Sequence, residues 1–219
     1  MRVRVWDLPV RLFHWTLAVL AVFSFVTGKV GHGWMAWHVK SGYAILSLLT
    51  FRLAWGVVGS DTARFTRFVK GIGSARDYAR TLLARSPAPF LGHNPLGGWM
   101  VVLLLALLLL QAATGLFADD DISTQGPLAA MVSEAAVRQL TRIHAYNEWV
   151  VVALVVVHVA AIVFYQGPLR RNLIGPMVHG SVETAAPAPR LAPTWFAAVL
   201  FGLSCAAVYY LVAILPPSP

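Results

Sequence analysis

The chain has 219 residues, of which 58% are hydrophobic and 12% are charged. Because about 25% of the residues in a soluble globular domain are charged, this composition excludes a water-soluble protein and predicts an integral membrane protein. The formal net charge of +8 does not indicate a nucleic-acid-binding protein, since the basic residues belong mainly to short loops on one side of the predicted membrane spans.

Five apolar segments are long enough to cross the hydrocarbon core of a bilayer, which takes about 20 helical residues. In chain order they cover residues 8–28, 34–58, 96–117, 142–165 and 193–215. The first is too long for the apolar part of a signal peptide and no small-residue cleavage site follows it, so it is predicted to remain as a helix. The predicted fold class is therefore an all-α integral membrane protein.

The distribution of charge predicts the orientation of these spans, because short loops rich in Lys and Arg face the cytoplasm. One side of the threaded chain carries Arg2, Arg4, Arg11, Arg64, Arg67, Lys70, Arg76, Arg80, Arg85, Arg170, Arg171 and Arg190. The other side carries Lys29, Lys40, Arg138, Arg142 and the acidic run Asp119, Asp120 and Asp121. The N-terminus is thus predicted in the cytoplasm and the C-terminus outside. Tryptophans at span ends, where indole rings favour the headgroup level, agree with this threading: Trp6, Trp34, Trp37, Trp55, Trp99 and Trp195.

The connections between the spans differ in character. Residues 60–94 form an amphipathic segment with aromatic residues among arginines, and we expect it to lie on the anionic inner surface of the membrane. Before the fourth span, a helical pattern extends back to Ser133. Residues 175–193 are rich in proline and are predicted to be a linker. The fifth span has no ionisable residue, so we expect it to pack outside the functional bundle.

The fourth span carries two histidines, His144 and His158, which are fourteen residues apart. At about 100° per residue, fourteen steps return to nearly the same helix face roughly 21 Å further along. An ionisable side chain at membrane depth is costly without a partner and therefore indicates function. This spacing predicts one wall of a site for two stacked haems.

A haem iron held by two imidazoles needs one histidine from each of two facing helices. Depth along the threaded spans pairs His14 with His158 near the cytoplasmic side and His38 with His144 near the outer side. His32, six residues from His38, is the main alternative to it. Zinc fits less well, because it takes three or four ligands at one level and these depths divide two and two.

Five further residues are candidates for contacts with haem. Arg52 lies fourteen residues after His38, the histidine of the second span. Its position fits two roles equally well: a bidentate pair with a haem propionate, or a side chain that extends to the inner lipid headgroups. Arg11 and Arg142 adjoin predicted ligands and are weaker candidates for the same contact. Gly42 and Gly115 are small enough to let a flat macrocycle approach the backbone, although small residues also serve plain helix packing.

Motifs in a fixed order carry a resemblance to a known family. They are residues 5–15 up to His14-Trp15, Trp37-His38-x-x-x-Gly42-Tyr43, Phe51-Arg52-Leu-x-Trp-Gly-x-Val-Gly59, Gly92-His-Asn-Pro-Leu-Gly-Gly98, Thr114-Gly-Leu-Phe117 and the segment from His144 to His158. Over most of residues 3–180 the chain resembles the bacterial di-haem cytochrome b561 group, which includes the b-type cytochrome subunits of nickel-iron hydrogenases.

The resemblance implies a four-helix haem-binding bundle over residues 1–180, followed over residues 181–219 by a linker and an additional transmembrane helix beyond the family's common core. It places His14, His38, His144 and His158 on the family's four ligand positions, which implies two b-type haems. Cys205 is the single cysteine and no Cys-x-x-Cys-His motif is present, so covalently attached c-type haem is excluded.

The implied function is electron transfer in the bacterial inner membrane, between the quinone pool, a periplasmic cytochrome or a partner redox enzyme. Two alternatives stay open: a quinone-reactive oxidoreductase in its own right, and a haem-bearing membrane anchor of a hydrogenase or dehydrogenase. No residue is assigned as catalytic. Compatible partners are membrane lipid, quinone, a periplasmic c-type cytochrome, a redox-enzyme subunit and a second copy in a homodimer; nucleic acid is not among them.

Overall fold

The computed structural model describes residues 1–84 and 90–216. Within this part of the chain the helices are α1 (Leu8–Val30), α2 (Met35–Val58), α3 (Phe65–Phe68), α4 (Ile72–Leu83), α5 (Pro95–Gly115), α6 (Glu134–Gln166), α7 (Ile174–His179) and α8 (Thr194–Tyr209). The last continues as a π-helix over Tyr210–Ile214, and two short strands, β1 (Arg2–Arg4) and β2 (Ser181–Glu183), accompany the helices.

Five helices of the described residues are long and apolar enough to cross a membrane: Leu8–Val30, Met35–Val58, Pro95–Gly115, Glu134–Gln166 and Thr194–Ile214. They follow the five predicted segments in order, so the predicted all-α integral membrane fold is confirmed. Arg85, one of the basic residues used in the threading, lies outside the described residues.

Side-chain caps explain where several of these helices begin. Asp7 Oδ1 accepts the backbone N–H of Val10 at 2.7 Å and starts α1, and Asn94 Oδ1 accepts that of Gly97 at 2.8 Å and starts α5. In α6 the apolar span is preceded by a polar turn in which Ser133 Oγ accepts the N–H of Ala136 at 3.3 Å. The helix therefore begins well before the apolar segment, as the pattern extending back to Ser133 indicates.

The chain divides into two compact units, and the long helices contribute residues to both. The first unit comprises Met1–Leu12, Arg52–Leu104 and Leu154–Ala198, and the second comprises Phe13–Phe51, Leu105–Ala153 and Val199–Pro219. These units are not sequence domains, so the division at residue 180 stays a prediction.

In the first unit the N-terminus is bound to the segment that follows the fourth span. β1 and β2 pair antiparallel with Val3 opposite Val182. The carbonyl of Gly180 accepts the N–H groups of Val5 and Trp6 at 2.8 and 3.0 Å, with Gly180 at φ +87°, a left-handed conformation that favours glycine. Part of the predicted linker is therefore regular structure, because it supplies the backbone partners of the N-terminal strand.

Trp55 is a core residue of the first unit and was wrongly predicted at the lipid interface. Its side chain is 0% exposed, and its Nε1 donates a hydrogen bond to Asp7 Oδ2 at 3.0 Å. Asp7 is itself buried and also caps α1. The indole thus satisfies a buried carboxylate rather than the headgroup region.

The amphipathic segment after α2 packs part of its apolar face into the first unit. Phe68 and Tyr78 are both buried, and the Tyr78 and Tyr165 hydroxyl groups lie 2.9 Å apart in a hydrogen bond. Asn94 Nδ2 donates to the same Tyr165 hydroxyl at 3.0 Å. This segment is therefore attached to α6 and α5 by buried polar contacts, in addition to any contact with lipid.

In the second unit the fifth span shares a core with the predicted bundle. Leu46, Leu116, Leu128 and Val208 form a buried apolar cluster. Phe201 of α8 also contacts Phe51 of α2 edge-on, with ring centroids 5.9 Å apart. The last helix thus packs directly on α2 and on the end of α5.

Candidate haem-binding site

His38 of α2 and His144 of α6 face each other in the second unit. Their ring centroids lie 6.1 Å apart and their planes are perpendicular, at 87°. Both side chains are half-buried. These are the two histidines that the sequence assigned to the outer haem, and they belong to different helices, as a two-sided site requires.

The separation of these rings fits a metal ion bound between them. Metal–imidazole nitrogen bonds of about 2 Å on opposite sides of an ion hold the two ring centroids roughly 6 Å apart. Among the described residues no group of three or more His, Cys, Asp or Glu side chains is placed to hold a metal ion. Two protein ligands suit haem iron, whose remaining positions are filled by the porphyrin, better than they suit zinc.

The ring of His38 is fixed against α1. Its Nδ1 lies 2.8 Å from the carbonyl oxygen of Ser24, and because a carbonyl can only accept, Nδ1 carries the proton in this contact. A Cβ atom on Gly28 would lie 2.8 Å from the same Nδ1. The imidazole therefore occupies the space that a side chain at residue 28 would fill.

The ring of His144 is fixed against α5 in the same manner. Its Nδ1 donates to the carbonyl of Gln111 at 2.9 Å, and a Cβ on Gly115 would lie 3.0 Å from its Cε1. The Gln111 side chain donates to the backbone carbonyl of His144 at 3.0 Å. Its Oε1 accepts Asn147 Nδ2 at 2.7 Å, so the Gln111 side chain joins α5 to α6 at two residues.

These two contacts determine what the histidines can do chemically. A neutral imidazole with its proton on Nδ1 leaves the Nε2 lone pair available, which is the form in which histidine binds a metal. In both rings Nδ1 is therefore occupied by a backbone acceptor, and Nε2 is the nitrogen that could bind a metal. The cradle that the residues form fits a flat, bis-imidazole-ligated group.

The other two predicted ligands lie on elements with the expected character. His14 is in α1 and contacts Trp15 edge-on at 4.9 Å between ring centroids. His158 is half-buried in α6, which is one continuous helix over Glu134–Gln166, as the fourteen-residue argument assumes. The pairing of His14 with His158 stays a prediction. The side chain of His32 lies outside what the structure describes.

Arg52 is enclosed by protein in the first unit. Its side chain is 2% exposed, and its guanidinium carbon lies 5.0 Å from the ring centroid of Phe65 and 6.0 Å from that of Phe68. A side chain extended to lipid headgroups would be exposed, so this burial favours an internal role. Contact with a haem propionate stays a prediction.

The remaining candidates have different surroundings. Arg11 Nη1 donates to the carbonyl of Val178 at 2.5 Å, and this hydrogen bond links α1 to α7. Arg142 lines an open cleft of about 560 Å³ with the acidic residues Asp119 and Asp121. Gly42 has open space where a Cβ would point. Any contact of these residues with haem stays a prediction.

The sequence did not identify most of the residues that contact the two rings, namely Ser24, Gly28, Gln111 and Thr114, nor Asn147, which contacts Gln111. For Gly115 it expected an approach of the macrocycle, whereas the structure places the His144 ring there. A signal was present, because the dipeptide Thr-Gly occurs near the end of both the first and the third span, at residues 27–28 and 114–115.

Five apolar helices of membrane-spanning length and two histidine rings that face each other are features of a membrane-embedded cytochrome of the b type. Residues 5–180 match the family model of prokaryotic cytochrome b561, and the chain belongs to the prokaryotic cytochrome b561 family. It is a transmembrane electron-transfer protein that uses haem b. When bound, haem iron supplies one-electron chemistry by changing between its ferric and ferrous states.

A curated relative supports the same assignment. A protein of Rhizobium leguminosarum bv. viciae, named as a probable Ni/Fe-hydrogenase B-type cytochrome subunit, is 26% identical over 223 residues, which cover 81% of this chain and 87% of the relative. No solved structure matches the chain.

Proposed function

We propose that the protein is a two-haem electron carrier that passes electrons from one face of the membrane to the other. His38 and His144 hold one b haem, and His14 and His158 hold the second. The observation that carries this proposal is the 6.1 Å separation of the His38 and His144 rings, with the Nδ1 of each ring at a backbone carbonyl.

The role of the polypeptide is to hold and orient these ligands. With two histidine ligands to its iron, each haem would have no position left for a substrate, and no side chain acts as a chemical catalyst in this proposal. The backbone acceptors at Ser24 and Gln111 keep each ring in one orientation. A fixed ligand set of this kind supports electron transfer rather than substrate activation.

Support for the second haem comes from the position of its ligands along their helices. His158 follows His144 by fourteen residues in one unbroken helix, which returns to nearly the same face. His14 lies near the start of α1, at the depth of His158 in the threaded chain. We propose Arg52 as a propionate partner because a guanidinium pairs with carboxylates in bidentate fashion, with Arg11 and Arg142 as weaker candidates and Gly42 as a site of close approach.

The orientation follows from charge. Basic residues concentrate in the loops on the side of the N-terminus, and such loops face the cytoplasm. We therefore propose a bacterial inner-membrane protein with a cytoplasmic N-terminus, with the His38 and His144 haem nearer the periplasm.

The name of the Rhizobium relative supports a redox-enzyme subunit as one partner. The proposed arrangement is that such a subunit exchanges electrons at one face, with the quinone pool or a periplasmic c-type cytochrome as the other redox partner. Co-purification of an untagged redox enzyme with the tagged chain from its native membrane tests this. Rapid turnover of a quinol analogue by the purified chain alone would instead favour an oxidoreductase that needs no partner.

The haem proposal is tested by pigment analysis of the purified protein. We expect about two non-covalent haems per chain, low-spin spectra and two resolved steps in a redox titration. His158→Ala should remove one haem and leave the other, whereas His179→Ala, on the short helix α7 outside the spans, should retain both. A folded wild-type protein with one haem or none would refute the proposal.

A further inference from the structure

The two helices that receive the histidine rings share a local arrangement. Residues 24–28 of α1 and 111–115 of α5 each contain a backbone acceptor, then threonine three positions later and glycine four positions later. Ser24 and Gln111 are the acceptors. The two segments lie on different helices and contact different histidines. We name them groove 1 (residues 24–28) and groove 2 (residues 111–115).

Threonine prepares the backbone of each groove. Thr27 Oγ1 donates to the carbonyls of Phe23 and Ser24 at 2.8 and 3.1 Å. Thr114 Oγ1 donates to those of Leu110 and Gln111 at 2.7 and 3.1 Å. Both threonines are almost fully buried, at 1% and 3% exposed. Such bonds to preceding carbonyls bend helices slightly, which helps an acceptor to turn outward.

Glycine then opens the carbonyl to a donor from outside the helix. In an α-helix the carbonyl of residue i points toward residue i+4, so a side chain at that position screens it. Here position i+4 is Gly28 for Ser24 and Gly115 for Gln111. The nearest histidine ring atoms lie 2.8 Å and 3.0 Å from the positions of the missing Cβ atoms. An alanine at residue 28 would have to displace the His38 ring, and an alanine at residue 115 would require the His144 ring to move by a few tenths of an ångström.

We propose that grooves 1 and 2 are a duplicated positioning site, which would hold His38 and His144 as the two histidine ligands of one haem and would keep the reduction potential of that haem low. A hydrogen bond from Nδ1–H makes the imidazole a stronger donor to the metal, which stabilises the ferric state. This inference rests on the proposed function, because it assumes that His38 and His144 ligate the same iron.

Plain helix packing is the alternative explanation for glycine and threonine in membrane helices. Packing accounts for small residues where two helices cross closely. It does not require that, on both helices, an imidazole Nδ1 lies at hydrogen-bond distance from the carbonyl four residues before the glycine. Thr114 Oγ1 also lies 3.3 Å from His144 Nδ1. The two explanations differ in what they predict for the redox potential.

The test is a spectroscopic redox titration of the haem-loaded full chain carrying Gly28→Ala or Gly115→Ala. We expect both variants to shift the same one of the two redox steps to more positive potential and to leave the other unchanged. Gly202→Ala in α8 is the matched control, because nothing lies within 4 Å of the Cβ it would add. Unchanged potentials, or shifts of different steps by the two variants, would overturn the proposal.

A second pair of variants serves if the alanine forms lose haem. Thr114→Val removes the hydroxyl with little change of volume, and Thr114→Ser retains it. We expect Thr114→Val to shift the potential of the same step, because Thr114 Oγ1 contacts both the Gln111 carbonyl and His144 Nδ1, and Thr114→Ser to keep the wild-type value, with equal haem content in both. Equal potentials in the valine and serine variants would contradict the inference. Failure of the proposed function is distinguishable, since the wild-type protein would then lack two haems.

Discussion

Asn147 and Gln111 form a hydrogen bond of 2.7 Å between two membrane-spanning helices, one turn from the His144 ring. Asn147 is 5% exposed and also donates to the carbonyl of Leu107 at 2.9 Å. Gln111 in turn donates to the backbone carbonyl of His144 at 3.0 Å. The pair therefore joins α5 to α6 beside a proposed haem ligand.

Asn147→Leu should destabilise the protein by about 1 kcal/mol, the order found for buried hydrogen bonds between membrane helices, because it leaves Gln111 Oε1 without this donor. Thermal unfolding in detergent, followed by the haem absorbance, measures the loss. Gln111→Leu and the double variant complete a cycle. Strictly additive losses would show that the two side chains do not act together.

An ion pair joins α1 to α6 near the same site. Lys29 Nζ lies 2.5 Å from Glu148 Oε1, and it lies 5.0 Å from the centroid of the Trp149 ring. Lys29→Met should lower stability by about 1 kcal/mol, because a partly buried carboxylate loses its cation. The charge-swapped double variant, Lys29→Glu with Glu148→Lys, should have a melting temperature between that of Lys29→Met and that of the wild type. No recovery would indicate that the aliphatic packing of Lys29, rather than its charge, matters.

The acidic loop between α5 and α6 should show a pH-dependent stability through Asp120. Its Oδ1 accepts the backbone N–H groups of Thr124, Ser123 and Ile122 at 2.8, 2.8 and 3.0 Å, and these bonds, above all the one from Thr124, lower the pKa of Asp120 below its ordinary value. A lowered folded-state pKa stabilises the fold above the unfolded pKa, about 3.9, and the stabilisation is lost as pH falls through the folded value.

The difference in melting temperature between the wild type and Asp120→Ala should therefore be largest near neutral pH and should vanish in acid. Asp121→Asn serves as the neighbouring control, because asparagine tolerates the left-handed backbone of this residue at φ +56°, and it should show a smaller difference at neutral pH. A wild-type advantage that grows as the solution is acidified would contradict this reading of the loop.

Trp55 and Asp7 should contribute to stability through their buried hydrogen bond in the first unit. Trp55→Phe removes the Nε1 donor 3.0 Å from Asp7 Oδ2 and also part of a fully buried ring. We expect a loss of about 2 kcal/mol, the sum of an impaired buried polar contact and lost packing. Trp195→Phe, at a residue that is 69% exposed, should change the melting temperature little. If both variants lowered the melting temperature equally, the buried hydrogen bond and packing of Trp55 would not be the source of the loss.

The parts of this fold that depend on one segment at a time were predictable from sequence. Apolar length predicts the five spans, and Asn94 followed by Pro95 is a sequence typical of a helix start, where the structure has the Asn94 cap of α5. The histidine pair His38 and His144 emerged from depth along the spans, because ligands of one haem must share a level. The spans and the cap have their physical cause within one segment, and the histidine pairing uses only the depth of each histidine within its own span.

Features that depend on a distant partner were not predictable. The pairing of β1 with β2 joins residues about 180 positions apart, and each strand is too short to show a pattern of its own. Trp55 is predicted at the lipid interface because hydropathy does not reveal that the Asp7 carboxylate lies beside its ring. Likewise Gly28 is unremarkable in sequence until the His38 ring is seen where its side chain would be.

The central claim, that His38 and His144 ligate one haem, is tested most directly by counting haems in His38→Ala, His144→Ala and the double variant. We expect each single variant and the double variant to lose the same one of two redox steps and to retain about one haem per chain. If the two single variants lose different steps, or the double variant loses both haems while each single variant loses one, the two histidines do not share an iron.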